Sequence, residues 1–158
     1  MSNEAEIDYK AVIEPYRNVR GGIIEAMHAL TQICHFLPPK ALKELAKAFR
    51  MTEAEVYGVA SFYSYFTVKE CGTYVIRVCR SAPCHMENAK GMMELLEKEL
   101  GIQAGETTED GKFTLEWTEC VGQCSHAPVY TVNREPVTDV GADFGEQIPM
   151  LLKQLRQN

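Results

Sequence analysis

Apolar positions along the chain follow two periods, and the change falls near residue 71. From about residue 8 to 66 they recur every three or four residues, which predicts helices. Ile23, Ile24, Met27, Leu30 and Cys34 form one stripe, and Pro38-Pro39 both ends that helix and opens the next. Leu42, Leu45, Ala46 and Phe49 make a second stripe. Thr52-Glu53-Ala54-Glu55 has the capping-box pattern, in which hydroxyl and carboxylate each take an otherwise orphaned amide. It predicts a third helix through Val56, Val59, Ala60 and Tyr63. Three short helices bury little surface alone, so their outer faces are expected to rest on something else.

Beyond a turn at Glu70-Cys71-Gly72 the pattern shortens to two. Residues 73–78 alternate and are β-branched, as a strand requires. An amphipathic helix is expected from near Met86, carrying Ala89, Met93, Leu96 and Leu100 on one face, with Gly101 as its C-cap. After a turn at Asp110-Gly111, strands are expected over 113–119, 128–132 and 136–140, the last two joined at Asn133-Arg134. Ile148, Leu151, Leu152 and Leu155 mark a final helix with Pro149 in or near its first turn. The chain is therefore expected to be α/β: an N-terminal helical bundle over 1–70, then a small mixed sheet flanked by helices over 71–158. A right-handed βαβ crossover would make the first two strands parallel neighbours.

Composition narrows the functions open to such a fold. The net charge of −6 disfavours nucleic acid and anionic membrane as partners. No apolar run approaches 18 residues and the first residues are acidic, so neither membrane insertion nor a signal peptide is expected. Those features point to the cytoplasm, where paired cysteines serve as metal ligands or redox groups more often than as disulfides.

Two such pairs follow the first two strands: Cys79-Arg80-Ser81-Ala82-Pro83-Cys84 and Cys120-Val121-Gly122-Gln123-Cys124. Parallel neighbouring strands would release both loops at the same end and bring four thiols together. The set Cys79, Cys84, Cys120 and Cys124 suits a small iron–sulfur cluster or a structural zinc ion. The loop amides of Arg80, Ser81, Ala82, Val121, Gly122 and Gln123 are the expected donors to sulfur. Gly122 permits a tight backbone path, and the helix after Cys84 would favour its thiolate. Neither pair has C-x-x-C spacing, which disfavours thiol–disulfide catalysis. Cys34 is expected in a core and Cys71 at the surface. With four cysteines in place, His85 and His126 are expected beside the metal rather than on it. No G-x-G-x-x-G or Walker pattern offers a nicotinamide or flavin site, and no catalytic triad or carboxylate pair stands out.

The C-x4-C and C-x3-C pairs, 35 residues apart, resemble those of the thioredoxin-like [2Fe–2S] ferredoxins. So do Leu37-Pro38-Pro39, residues 56–63, Val78-Cys79, Pro83-Cys84-His85, residues 105–116, and Ala127-Pro128 after the second pair. That family includes the small iron–sulfur subunits of NADH:quinone oxidoreductase (complex I), of NAD(P)-linked, often electron-bifurcating, iron-only hydrogenases, and of NAD-dependent formate dehydrogenases. Many members carry Gly-Thr-Ala where this chain has Arg80-Ser81-Ala82-Pro83, which leaves the ligands intact and puts a cation beside them.

The resemblance implies a thioredoxin-like domain holding one [2Fe–2S] cluster on Cys79, Cys84, Cys120 and Cys124. It implies an N-terminal bundle that docks on a larger iron–sulfur subunit, which binds FMN and NAD(H), with further catalytic subunits beyond. Tyr57, Phe62, Tyr63, Tyr65 and Phe66 are candidates for that interface, with core packing the equal alternative for Phe62 and Phe66. The expected role is a non-catalytic electron-transfer subunit of an NAD(P)H-dependent oxidoreductase, with a soluble hydrogenase-type complex preferred. The equivalent subunit of complex I or of a formate dehydrogenase, a freestanding ferredoxin, and a zinc-stapled interaction module are the alternatives.

Overall fold

Helices account for most of residues 7–62 of the computed structural model, which describes residues 7–138, 140 and 144–157. Helix α1 (Tyr9–Ile13) is capped by Asp8, whose carboxylate accepts from the Lys10 and Ala11 amides. It lasts five residues and gives way at Pro15 to a 3-10 turn, Glu14–Tyr16, so the helical stretch expected from residue 8 is broken. Helix α2 (Gly22–Cys34) and α3 (Pro39–Phe49) follow, with Pro39 opening α3. The capping box of α4 (Glu53–Phe62) is present: the Thr52 Oγ1 accepts from the Glu55 amide at 3.2 Å, and Glu55 Oε2 accepts from the Thr52 amide at 2.8 Å. Helix α4 stops at Phe62 because Tyr63 adopts extended backbone. Met27, Leu30, Leu45 and Val56 meet in a closed core, and the Leu37 amide donates to the Thr67 carbonyl at 2.7 Å to hold the exit of α4.

By internal packing the chain divides into two compact units, Met1–Glu70 and Cys71–Asn158. The second is built on a mixed sheet in the order β2-β1-β3-β4. Strand β1 (Tyr74–Cys79) runs parallel to β2 (Phe113–Thr118) and antiparallel to β3 (Tyr130–Val132), which pairs with β4 (Glu135–Val137). Entry into β1 requires Gly72. Its amide donates to Thr114 Oγ1 at 2.6 Å, and a Cβ there would lie 2.8 Å from the Lys112 carbonyl.

A one-turn helix, α5 (Ala82–Met86), follows β1. Helix α6 (Ala89–Leu100) lies on the sheet and α7 (Phe144–Gln157) packs beside it. Ile76, Val78, Phe113 and Leu115 from the strands meet Met92, Met93 and Leu96 of α6 and Ile148 and Leu152 of α7. Each fully buried aliphatic side chain contributes about 1.5–3 kcal/mol, which sets the strands that carry the cysteines on a firm base.

Two expectations need correction here. The strands expected over 128–132 and 136–140 are shorter and shifted, and β4 includes Pro136 as an edge strand can; Asp139 lies outside the described residues. Pro149, expected in or near the first turn of α7, lies just past it in the second, where it leaves the Gly145 carbonyl without its usual amide. Finally, the helix expected from near Met86 is two helices, α5 and α6, separated by Asn88 in the left-handed region.

Candidate metal centre

The parallel register of β1 and β2 pairs Cys79 with Thr118, two residues before Cys120. Both cysteine loops therefore leave the same, carboxyl-terminal edge of the sheet. Cys79 ends β1 and is buried, its amide donating to the Val129 carbonyl at 3.0 Å. Cys84 is buried as well, inside α5, where the Val129 amide donates to its sulfur. Cys120 and Cys124 are exposed, and Cys124 opens a 3-10 turn, Cys124–His126.

The structure brings the four predicted ligands together as two pairs. Cys79 and Cys84 hydrogen-bond to one another, and Cys84 also feels the charge of Cys124 across the site. The Cys120 and Cys124 sulfurs are 3.4 Å apart, well beyond the roughly 2.05 Å of a disulfide. All four are thiols. Among the described residues, no three or more His, Cys, Asp or Glu side chains close around one point as a single metal ion requires. Four cysteine sulfurs on two loops are a donor set that a two-iron group can take, shared between its two centres.

Electrostatics separate the four sulfurs. Burial pushes the Cys84 thiol up to about 11, and neighbouring Cys79 and Cys124 add to the rise. The helix-dipole stabilisation expected for Cys84 is outweighed because the residue lies within a buried single turn, not ahead of a long helix. Cys120 goes the other way. The Gly122 amide donates to its sulfur at 3.4 Å and lowers its pKa, with Cys124 and the Ser81 hydroxyl assisting. The hydrogen bond with Cys120 raises Cys124 in turn. Gly122 sits at φ 82, in the left-handed region, and that turns its N–H back onto Cys120. The Arg80 amide, expected to serve a sulfur, donates instead to the Thr118 carbonyl at 3.0 Å.

His85 and His126 lie exposed beside the loops. Cys34 packs against the first unit's core, as expected, while Cys71 is half-buried and not a plain surface thiol. Of the aromatics considered for an interface, Phe66 belongs to the core at 6% exposure, and Phe62 is 80% exposed with Tyr57, Tyr63 and Tyr65 also open. Sequence named Ser81 for its amide and not for its hydroxyl, and did not single out Glu119, which pairs with Arg80. The parallel register, extended one position past Cys79, would have found Glu119.

Four cysteines carried at one end of a mixed sheet, with helices packed on it, make a thioredoxin-like arrangement. Over residues 9–156 the chain matches the thioredoxin-like [2Fe-2S] ferredoxin family, and it belongs to that family. It is similar to an NADH-quinone oxidoreductase subunit of Rickettsia felis, 40% identical over 113 residues that span 72% of this chain and 68% of the relative. The corresponding NADH-quinone oxidoreductase subunit of Aquifex aeolicus is 39% identical over 114 residues (72% and 71%). NADH-quinone oxidoreductase subunit 2 of Thermus thermophilus is 36% identical over 125 residues (79% and 69%). Among solved structures, an NAD+-reducing [NiFe]-hydrogenase in the air-oxidized state superposes with a TM-score of 0.75 at 27% identity. The match covers 86% of this chain and 23% of that one.

Proposed function

We propose that this chain is the [2Fe–2S]-carrying electron-transfer subunit of a multisubunit NADH-linked oxidoreductase. The observation that carries the proposal is the meeting of Cys79, Cys84, Cys120 and Cys124 at one sheet edge in a member of this family. Those four residues would hold the cluster, and one-electron transfer is the chemistry it supplies when bound.

The protein's own groups prepare the site. Buried Cys79 and Cys84 anchor one side away from water, while exposed Cys120 and Cys124 leave the other side open toward an electron donor or acceptor. The Gly122 and Val129 amides donate to sulfur and offset thiolate charge. No proton or group transfer is asked of any side chain. FMN and NAD(H) are assigned to a larger partner subunit, which the helical first unit would contact through its open aromatics Tyr57, Phe62, Tyr63 and Tyr65.

Two settings are supported by different observations. The hydrogenase-type complex preferred from sequence is supported by the structural likeness to an NAD+-reducing hydrogenase, although that enzyme is of the [NiFe] type and not the iron-only type named from sequence. A complex I-type enzyme is favoured by the higher identity to NADH-quinone oxidoreductase subunits. Purification of the tagged chain from its native cells, with mass spectrometry of what accompanies it, tests the proposal. A flavin- and NAD(H)-binding subunit is expected, and the third component (a hydrogenase, formate dehydrogenase or membrane subunit) assigns the complex. A chain that purifies alone under conditions that keep such complexes intact would overturn the partner assignment.

A further inference from the structure

The residue after the first proposed ligand and the residue before the third are paired with each other. Arg80 donates to Glu119 through both Nε, at 2.8 Å, and Nη2, each to Oε1. Three residues earlier on the same two strands, Arg77 and Glu116 are register partners and form a similar pair at 2.8 Å. The two pairs differ in setting. Arg77 is 14% exposed and Glu116 28%, whereas Arg80 and Glu119 are 61% and 68% exposed.

An ion pair that open to water adds little to stability, because solvent screens the attraction and two long side chains must be ordered. It is also redundant as a clamp. Six register pairs between β1 and β2 and the Arg80 amide bond to the Thr118 carbonyl already fix the roots of both loops. What the pair alone supplies is charge balance: a cation adjacent to Cys79 and an anion adjacent to Cys120 that cancel.

We propose that Arg80 and Glu119 form a charge-compensated pair at the roots of the two cysteine loops, which holds the reduction potential of the cluster between the values either charge alone would impose. This rests on the cluster assignment above. The couple concerned adds one electron and forms or breaks no bond, so its potential responds to local charge by sign. In Arg80→Gln the Glu119 carboxylate is left uncompensated, and reduction becomes harder. In Glu119→Gln the Arg80 guanidinium is left uncompensated, and reduction becomes easier. Each screened charge is worth about threefold in the reduced-to-oxidised ratio at a fixed potential, or ~28 mV for a one-electron couple.

The test is a mediated redox titration of the full chain, purified anaerobically, with dithionite as reductant and the paramagnetic signal of the reduced cluster as readout. Arg80→Gln should shift down, Glu119→Gln up, and the double variant should return close to the parent. Arg80→Lys and Glu119→Asp, which keep the charges, should stay with the parent. Shifts of the same sign in both neutral variants, or no shift in either, would overturn the charge-balance role and leave the cluster assignment standing. Loss of the cluster in the neutral variants but not in the charge-conserving ones would also overturn it, in favour of a mechanical clamp. A parent chain with no dithionite-sensitive signal would instead sink the cluster assignment beneath it.

Discussion

Cys79 and Thr118 face each other as the last register pair of two parallel strands. That pairing sends the chain out of β1 and out of β2 on the same side, so cysteines 41 positions apart, Cys79 and Cys120, begin neighbouring loops. Antiparallel strands would have put the loops at opposite ends of the sheet. The site thus depends on strand direction, which the α6 crossover between β1 and β2 sets.

The thiols should differ in reactivity when the chain is metal-free. Cys120 is exposed and its pKa is lowered, chiefly by the Gly122 amide; Cys84 is buried and raised to about 11. Alkylation with iodoacetamide under native conditions, followed by peptide mass spectrometry across pH 6 to about 10, should modify Cys120 first and at lower pH. Cys84 should follow last. Equal rates at every pH would contradict the described environments.

Gly122→Ala should weaken the second loop by strain alone. The position has φ 82, and nothing lies within 4 Å of where a Cβ would stand, so the penalty is conformational, about 1 kcal/mol, and not a clash. Faster loss of iron to a chelator is expected, with little change in the unfolding of the first unit. Gly72→Ala should be more severe, since its Cβ would meet backbone at 2.8 Å.

The capping box makes the first unit sensitive to acid. Hydrogen bonds from the Thr52 backbone and side chain lower the Glu55 pKa below its ordinary 4.5. Its contribution is therefore present above 4.5 and is lost as pH falls through the lower, folded-state value. Thermal unfolding of the chain followed by circular dichroism should show that loss, and Glu55→Gln should flatten it. Thr52→Ala should cost about 1 kcal/mol at neutral pH.

Leu96, 1% exposed where α6 meets the sheet, is the direct test of the second unit's core. Leu96→Ala should cost about 2–5 kcal/mol in urea unfolding, through lost burial and the cavity left behind. Leu95→Ala, one position along and half-buried, should cost less.

Much of this was legible in the chain itself because single local rules decided it. The 3.6 period placed α2 and α3, the Thr52–Glu55 pattern placed the start of α4, and the β-branched run over 73–78 placed β1, with a cysteine pair following each of the first two strands. Where two rules compete, sequence misled. Pro15 interrupts a stretch with helical apolar spacing. Cys84 lies too close to Pro83 and Asn88 for spacing alone to show that it occupies its own buried turn. The Arg80–Glu119 pair needs strand register, a long-range fact that no local pattern encodes.

The most direct measurement is the iron and acid-labile sulfide content of the chain purified without air, alongside single serine variants of Cys79, Cys84, Cys120 and Cys124. About two irons and two sulfides per chain are expected, with a visible spectrum that bleaches on dithionite and is lost or altered in each variant. A colourless chain holding one zinc ion, or a cluster that none of the four substitutions disturbs, would contradict the account.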